Sequence, residues 1–242
     1  MSHSLFLAGA SGAIGRRLAP LLVVDGWRIV ATTRSENKTA ALRQMGVEPV
    51  VVDVFDADAL REAVARARPS VVIHQLTDLP AGLDPNLMAA ALPRNAQIRD
   101  EGTRNLIAAA VRVGVGRLIV QSIAFAYADG PRPHSEEDRL NIDAEGGARV
   151  SIRGIASLER QTLDAPLHAI VLRYGRLYGP GTGFDAASGP GPVHVDAAAQ
   201  AARLAVTQGP PGIYNIAEDD GAVSSEKAKR LLGWSADWRS RL

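Results

Sequence analysis

The sequence predicts an α/β protein of the doubly wound kind, a parallel sheet with helices on both faces. Two observations carry this. Short apolar runs alternate regularly with helical patterns along nearly all of the 242 residues. The first two runs are joined by three glycines and one helix, in SLFLAGASGAIGRRLAPLLVVDGWRIVATTR, residues 4–34. Strand, glycine turn, helix, strand is a βαβ unit.

In order, residues 5–8 read as the first strand, followed at once by Gly9, Gly12 and Gly15. Ile14, Leu18, Leu21 and Leu22 then share one helical face, and Gly26 ends that helix. Pro20 lies inside it and predicts a bend, because proline removes a helical hydrogen bond. Residues 27–32 are the second strand, 35–45 a helix stopped by Gly46, and 47–54 the third strand, with Asp53 near its end. Residues 57–67 are amphipathic, with Leu60, Val64 and Ala67 on one side, and 70–76 form the fourth strand.

Residues 87–114 read as mostly helical, broken near Pro93. The fifth strand is 117–122. The polar, Pro-, Gly- and acid-rich segment 127–149 reads as a loop over the cleft, before a helix at 150–163 and a sixth strand at 168–174. Residues 175–192 carry too many glycines and prolines for regular structure. An alanine-rich helix at 196–206, a short strand at 212–217 and a helix at 224–232 complete the chain.

Composition bounds the function. A chain of 242 residues forms one sizeable domain, 1–242. A net charge of +1 makes no electrostatic case for nucleic acid or an acidic membrane surface. With no cysteine there is no disulfide, thiol nucleophile or thiolate metal site. The five histidines lack ligand spacing, so no metal is expected. No run is long enough to span a bilayer and the chain starts straight into a strand, so a soluble cytoplasmic protein is the default expectation.

Each glycine of the turn has a mechanical reason. Gly9 permits a tight turn out of the strand, Gly12 lets the backbone approach a pyrophosphate, and Gly15 lets the helix pack against the strand. The helix N-terminus offers free N–H groups and partial positive charge to phosphate. The turn, with Ser11 and Ile14, is therefore a candidate dinucleotide cradle. At the end of the second strand, where a carboxylate would bind the 2′-hydroxyl of NAD, the chain reads Thr32-Thr33-Arg34. A guanidinium there suits a 2′-phosphate, with Ser11 and Arg16 as helpers, and NADP(H) is the expected cofactor.

GASGAIG, Gly-x-x-Gly-x-x-Gly, resembles the turn of the short-chain dehydrogenases/reductases. The resemblance continues through VVVDVFD around Asp53, VVIHQLT around His74, EGTRNLIAAA from Glu101, LRYGRLYGPG from Leu172, VHVDAAA from Val193, YNIA at Tyr214 and EKAKRLLGW at Glu226. It points to the extended or atypical branch, which includes nucleotide-sugar epimerases, and so implies a Rossmann fold with a nicotinamide cofactor. On that resemblance Asp53 and Val54 meet the adenine, and His74 and Leu76 run beside the nicotinamide ribose. Dimerisation through the helices beginning at Leu87 and Val150 is also implied.

The catalytic residues depart from the family. Aligning on Glu159, which resembles the family's helix glutamate, puts Ser151 in place of the usual tyrosine and Ile155 in place of the usual lysine. Neither replaces an acid whose pKa a lysine lowers. Arg99 stands where the family carries asparagine. Ser122 resembles the family's active-site Ser/Thr at the end of the fifth strand, and Tyr127 is the best substitute proton donor, ahead of His134 and Tyr174. Tyr178 is expected to pack, His194 to orient a turn, and Glu136-Glu137-Asp138 to be solvated. Between Gly181 and Val193 the chain has only TGFDAASGPGP where extended members insert a longer cap. A reduced C-terminal substrate lobe (175–195 and 218–242) is therefore expected, which disfavours a nucleotide sugar.

The leading expectation is an NADP(H)-dependent oxidoreductase acting on a small carbonyl or activated alkene, with a small molecule as its only necessary partner. Loss of the Tyr/Lys pair keeps open a non-redox isomerase, lyase or cyclase on the same scaffold. A non-catalytic NADP(H)-sensing protein is the third reading.

Overall fold

The computed structural model describes residues 3–241. Seven parallel strands form one sheet: β1 (Ser4–Ala8), β2 (Arg28–Thr33), β3 (Glu48–Val51), β4 (Val71–His74), β5 (Arg117–Ile123), β6 (His168–Tyr174) and, last in this sheet, the strand Gly212–Ile216. Their spatial order is β3-β2-β1-β4-β5-β6, then Gly212–Ile216, so the order reverses between β1 and β4. Such a reversal opens a crevice beyond the carboxyl ends of the strands.

Both faces of β1 are buried, and its side chains divide between two apolar layers. Leu5 and Leu7 point to the layer of α1 (Ala13–Val24) and the later helix Val195–Ala205, with Leu18, Leu22, Ala198 and Ala201. Phe6 and Ala8 point to the layer of α3 (Ala57–Ala67) and α5 (Thr103–Arg112), with Leu60, Val64, Leu106 and Ala110. The small α2 (Thr39–Gln44) precedes β3. The alternating faces of the strands thus build a core on either side of the sheet.

Several local expectations are corrected. α4 (Pro85–Gln97) runs unbroken through Pro93, where a break is expected, and α1 contains Pro20 within its length. The irregularity of the long helical region lies five residues later, in a π-helical turn at Ile98–Gly102 that leads into α5. Gly102 is tightly packed there: a Cβ would stand 3.0 Å from a Val54 methyl, which would have to give way. α6 begins earlier than expected and spans Gly146–Leu163.

The segment 175–192 is not wholly irregular. β7 (Arg176–Tyr178) and β8 (Pro192–His194) form a two-stranded parallel pair that clamps both feet of the intervening loop. The clamp requires Gly175, whose added Cβ would lie 2.1 Å from the Gly191 carbonyl oxygen. α7 (Val195–Ala205), β9 (Gly212–Ile216) and α8 (Glu226–Leu232) follow. His194 Nδ1 accepts the Asp196 N–H at 3.2 Å and caps α7, as its expected turn-orienting role requires.

Residues 127–149 do not lie over the cleft. Tyr127 bridges to Leu140 and His134 to Val223, and the Asn215 N–H donates to Glu136 Oε1 at 2.8 Å. The segment therefore packs beside β9, where its polar groups find backbone partners. Glu136 is one of these structural anchors, and Asp138 receives His134 Nδ1 at 2.9 Å, so the acidic run is not simply solvated. The C-terminal segment packs against α7, where Trp234 Nε1 donates to the Ala197 carbonyl at 2.8 Å. It does not border the cleft.

Candidate functional site

A cavity of about 1270 Å³ opens at the carboxyl ends of the sheet strands. It runs from the glycine turn, past Thr32 to Lys38 and Asp53 to Phe55, to a region under Phe125, Thr182 and Phe184. Of the sequence-predicted residues, Gly9, Ser11, Gly12, Ile14, Gly15, Arg34, Asp53, Val54, Leu76 and Ser122 all border it.

The turn has the shape a dinucleotide requires. Gly9 has φ +97°, and a Cβ on it would lie 2.4 Å from the Gln75 carbonyl oxygen. A Cβ on Gly15 would lie 2.3 Å from the Gly9 carbonyl, so these two glycines are demanded by the fold itself. Gly12 differs: the nearest atom to an added Cβ is the Gly9 oxygen at 3.4 Å. The space over Gly12 is open to the cavity at the N-terminus of α1, which has no side-chain cap. Free N–H groups facing a cavity that backbone can approach are a fit for a diphosphate.

At the end of the cavity beside β2, Arg34 forms a two-pronged pair with Asp78, Nη2 to Oδ1 at 2.7 Å and Nη1 to Oδ2 at 3.2 Å. Arg94 Nε donates to the same carboxylate at 2.6 Å. The Asp78 hydrogen bond raises the Arg34 pKa, and the two arginines hold the Asp78 carboxyl below its ordinary range. Asp78 escaped the sequence reading because it lies 44 residues from Arg34, in a loop that only the sheet order brings across. Lys38 borders the same stretch of cavity and was likewise not singled out. Asp53 Oδ1 accepts the Phe55 N–H at 3.0 Å, and Arg94 lies over the Phe55 ring at 5.2 Å.

His74 does not border the cavity. Its ring is buried in the opposite layer, with Nε2 3.1 Å from Thr103 Oγ1 and Nδ1 accepting the Leu76 N–H at 3.2 Å. Strand alternation explains the correction: His74 and Gln75 point to opposite sides, and Gln75 is the one at the cavity. Burial, with the nearby Arg99 charge, pushes the His74 pKa down to about 4, so the ring is neutral near pH 7.

Tyr127 is the second correction. It lies outside the cavity, donating to Asn215 Oδ1 at 2.5 Å and accepting from Arg173 Nη1 at 3.0 Å, with its ring stacked on His134. Burial raises its pKa, away from what an acid near neutrality needs. Ser122 reaches the cavity wall but is fully buried, and its hydroxyl donates to Glu159 Oε1 at 2.6 Å. Glu159 is in turn held by Arg173, Nε at 2.8 Å and Nη2 at 2.7 Å. Burial lowers the Arg173 pKa, but Glu159 more than offsets it and the net shift is upward. Ser122, Glu159, Arg173, Tyr127 and Asn215 thus form one interior polar network, which ties β5, α6, β6 and β9 together.

What does face the cavity is different. The Tyr174 hydroxyl accepts from Gln75 Nε2 at 3.2 Å, and Gln75 Oε1 is buried with no hydrogen-bond donor. Burial raises the Tyr174 pKa well above its ordinary value. Ser151 borders the cavity beside Arg99, whereas Ile155 is fully buried outside it. Phe125, with Arg176 4.6 Å over its ring, and Phe184 border the outer side, both partly exposed. Tyr178 donates to Glu218 Oε1 at 2.7 Å and packs edge-on against His194, a structural role. Among the described residues no cluster of three or more His, Asp or Glu is placed to hold a metal, and no helix is long and apolar enough to cross a membrane.

Comparison with known proteins agrees with this geometry. The family model described as NAD(P)H-binding matches residues 9–183. A 3-diazoavenalumate denitrifying reductase of a Streptomyces species is 36% identical over 95% of this chain and 87% of its own length. Among solved structures, UDP-glucose 4-epimerase of Thermotoga maritima, with UDP-glucose, superposes with a TM-score of 0.78 at 17% identity, covering 98% of this chain and 94% of that one. UDP-glucose 4-epimerase of Bifidobacterium longum, in complex with NAD+ and UDP, gives 0.73 at 15% identity, covering 98% and 94%. Those two likenesses speak for the fold. The family-model match and the Streptomyces relative, which agree with the glycine cradle and the sheet order, establish that this chain belongs to the NAD(P)H-binding family, as an oxidoreductase-like protein of the extended short-chain dehydrogenase/reductase type.

Proposed function

We propose that this protein is an NADP(H)-dependent reductase of a small, electron-poor substrate, and that its hydride acceptor needs no tyrosine acid. The observation carrying this is a dinucleotide cradle with no tyrosine or lysine at the two usual positions: Ser151 and Ile155 stand there, and Tyr127 is engaged elsewhere. A ketone reduced without an acid leaves an alkoxide, a poor outcome in a half-apolar cleft. Activated alkenes, and diazo groups conjugated to a carbonyl or aryl-oxide, spread or cancel the incoming charge themselves.

The diazo class is favoured by the Streptomyces relative, a 3-diazoavenalumate denitrifying reductase. The balance for an aryl diazonium is simple: hydride plus ArN₂⁺ gives ArH and N₂, so two electrons enter and dinitrogen leaves without an added proton. Reduced nicotinamide supplies the hydride when bound. The chain's part is to hold the diphosphate at Gly12, to present Arg34 and Lys38 to a 2′-phosphate, and to offer Phe125 and Phe184 as apolar walls for the substrate.

The test is NADPH oxidation, followed by absorbance, with an ortho-diazo-phenol acid, an α,β-unsaturated aldehyde and a simple ketone. Dinitrogen is measured by mass spectrometry with ¹⁵N-labelled diazo substrate. Oxidation with the first or second, and none with the ketone, supports the reading. Faster turnover of the ketone, or product formed with no change in nicotinamide oxidation state, overturns it.

A further inference from the structure

Arg99 is the one charged group buried in the cleft that the cofactor reading leaves unexplained. It sits in the π-helical turn at Ile98–Gly102 and is 7% exposed. Among the described residues its protein partners are Ser151 alone: Nη1 donates to Ser151 Oγ at 2.8 Å and to the Ser151 carbonyl at 3.3 Å. No carboxylate offsets its burial, which pushes its pKa down to about 10, so it keeps its charge at neutral pH. A guanidinium in such a place without a counter-charge is costly, and buried charges are ordinarily paired. The contrast with Arg173 is sharp, since that buried guanidinium has Glu159 against it through two nitrogens.

A further feature points the same way. The cavity is otherwise apolar near its outer end, with Leu79, Met88, Leu92, Leu177 and Phe184 among its lining. An apolar chamber with one buried cation suits a molecule with an apolar body and an anionic head.

We propose that Arg99 and Ser151 form a carboxylate subsite in the floor of the cleft, so that the substrate is an organic acid held by its carboxylate where relatives place the tyrosine. This deepens the reductase reading and rests on it for the identity of the reaction, although the subsite is defined by binding alone. The planar fork of Arg99 keeps Ser151 on one nitrogen and offers its remaining N–H groups to both carboxylate oxygens. The Ser151 hydroxyl, already accepting from Arg99, has its own hydrogen free to donate to the same anion.

The experiment is calorimetric titration of the full-length protein, saturated with NADP⁺, with 4-hydroxycinnamate and with its methyl ester. The wild type is expected to bind the acid at least about tenfold tighter than the ester, the scale of one charge-assisted pair. Arg99→Gln abolishes that preference, Arg99→Lys retains part of it, and Ser151→Ala reduces acid binding about threefold. Arg99→Met, which removes the unpaired charge, melts no lower than wild type, so loss of fold does not account for lost binding.

Equal binding of acid and ester by the wild type overturns the proposal, as does an acid preference that survives Arg99→Gln. A parallel titration with NADP⁺ alone separates a cofactor role: an Arg99→Gln defect as large for NADP⁺ as for the acid also overturns it. The two readings fail separately. Acid preference without any NADPH oxidation sinks the reductase reading and leaves the subsite, whereas equal turnover of acid and ester does the reverse.

Discussion

Replacing Arg34 with alanine should change the preference between the two nicotinamide dinucleotides, and the size of the change follows from its surroundings. A guanidinium–phosphate contact through two nitrogens is charge-assisted and contributes about 1.5–3 kcal/mol. Arg34 is not idle beforehand, because it already pairs with Asp78 at 2.7 Å. That pair is solvent-screened, the Arg34 side chain being 44% exposed, so releasing it costs at most about 1 kcal/mol. The net, about 0.5–2 kcal/mol, is roughly a 2- to 30-fold loss of NADPH affinity in Arg34→Ala. NADH, lacking the 2′-phosphate, should change by less than about twofold. Asp78→Asn should act in the opposite direction, since it frees Arg34 and removes a like charge from beside the phosphate. A gain of up to about fivefold for NADPH is expected, the worth of the exposed pair it dissolves. Calorimetric titration of each variant with both dinucleotides gives the ratio directly. An NADPH-to-NADH ratio that Arg34→Ala leaves untouched would refute the assignment of this end of the cleft to a 2′-phosphate.

The two turn glycines should separate by mechanism. Gly9→Ala places a methyl 2.4 Å from the Gln75 carbonyl at a φ of +97°, so the melting temperature should fall steeply. Gly12→Ala meets nothing nearer than 3.4 Å and should melt like wild type while losing dinucleotide binding. Breaking the buried pair with Arg173→Met strands the Glu159 charge and should cost about 3–5 kcal/mol in urea unfolding, while Tyr127→Phe should cost about 1 kcal/mol. A Tyr127→Phe variant of normal stability but without turnover would return that hydroxyl to the chemistry. His74 carries a pH signature: its folded pKa of about 4 lies below the unfolded value of 6.5. Below pH 6.5 the unfolded chain therefore binds the extra proton, and stability falls as pH drops through the window down to about 4. The loss amounts to about 3 kcal/mol for a shift of this size and is complete below pH 4. Chemical denaturation of wild type and His74→Leu across pH 4–7 should show a steeper fall in the wild type.

Most of the architecture was legible because it depends on local pattern. β1, α1 and β2 announce themselves through the glycines and the apolar face of Ile14, Leu18 and Leu22, and the parallel order follows from alternation. Errors arose where a local rule met tertiary support. Pro93 predicts a break, yet the helix continues because neighbouring contacts outweigh one missing hydrogen bond. The polar segment 127–149 was read as a loop over the cleft because polarity alone does not say which side of a sheet a loop covers. Its partners, Asn215 and Val223, lie about eighty residues away in sequence. The candidate site divided in the same manner. Backbone-defined positions such as Gly9, Gly12 and Gly15 are readable, whereas the strand pattern around His74 does not say that Gln75 and Leu76, and not the His74 ring, line the cavity. The Arg34–Asp78 pair and the unpaired state of Arg99 depend on what the fold brings near, which no spacing encodes.

The β7–β8 pair has an engineering consequence. Because Arg176–Tyr178 and Pro192–His194 are zipped together, the thirteen residues between them, 179–191, enter and leave from a single stem, as a gemstone sits in a fixed mount. Exchanging that insert for a longer one should alter which molecules fit above Phe125 without disturbing strand order or the cradle at Gly12. Diversification of this lineage toward bulkier substrates therefore requires only lengthening at one spot.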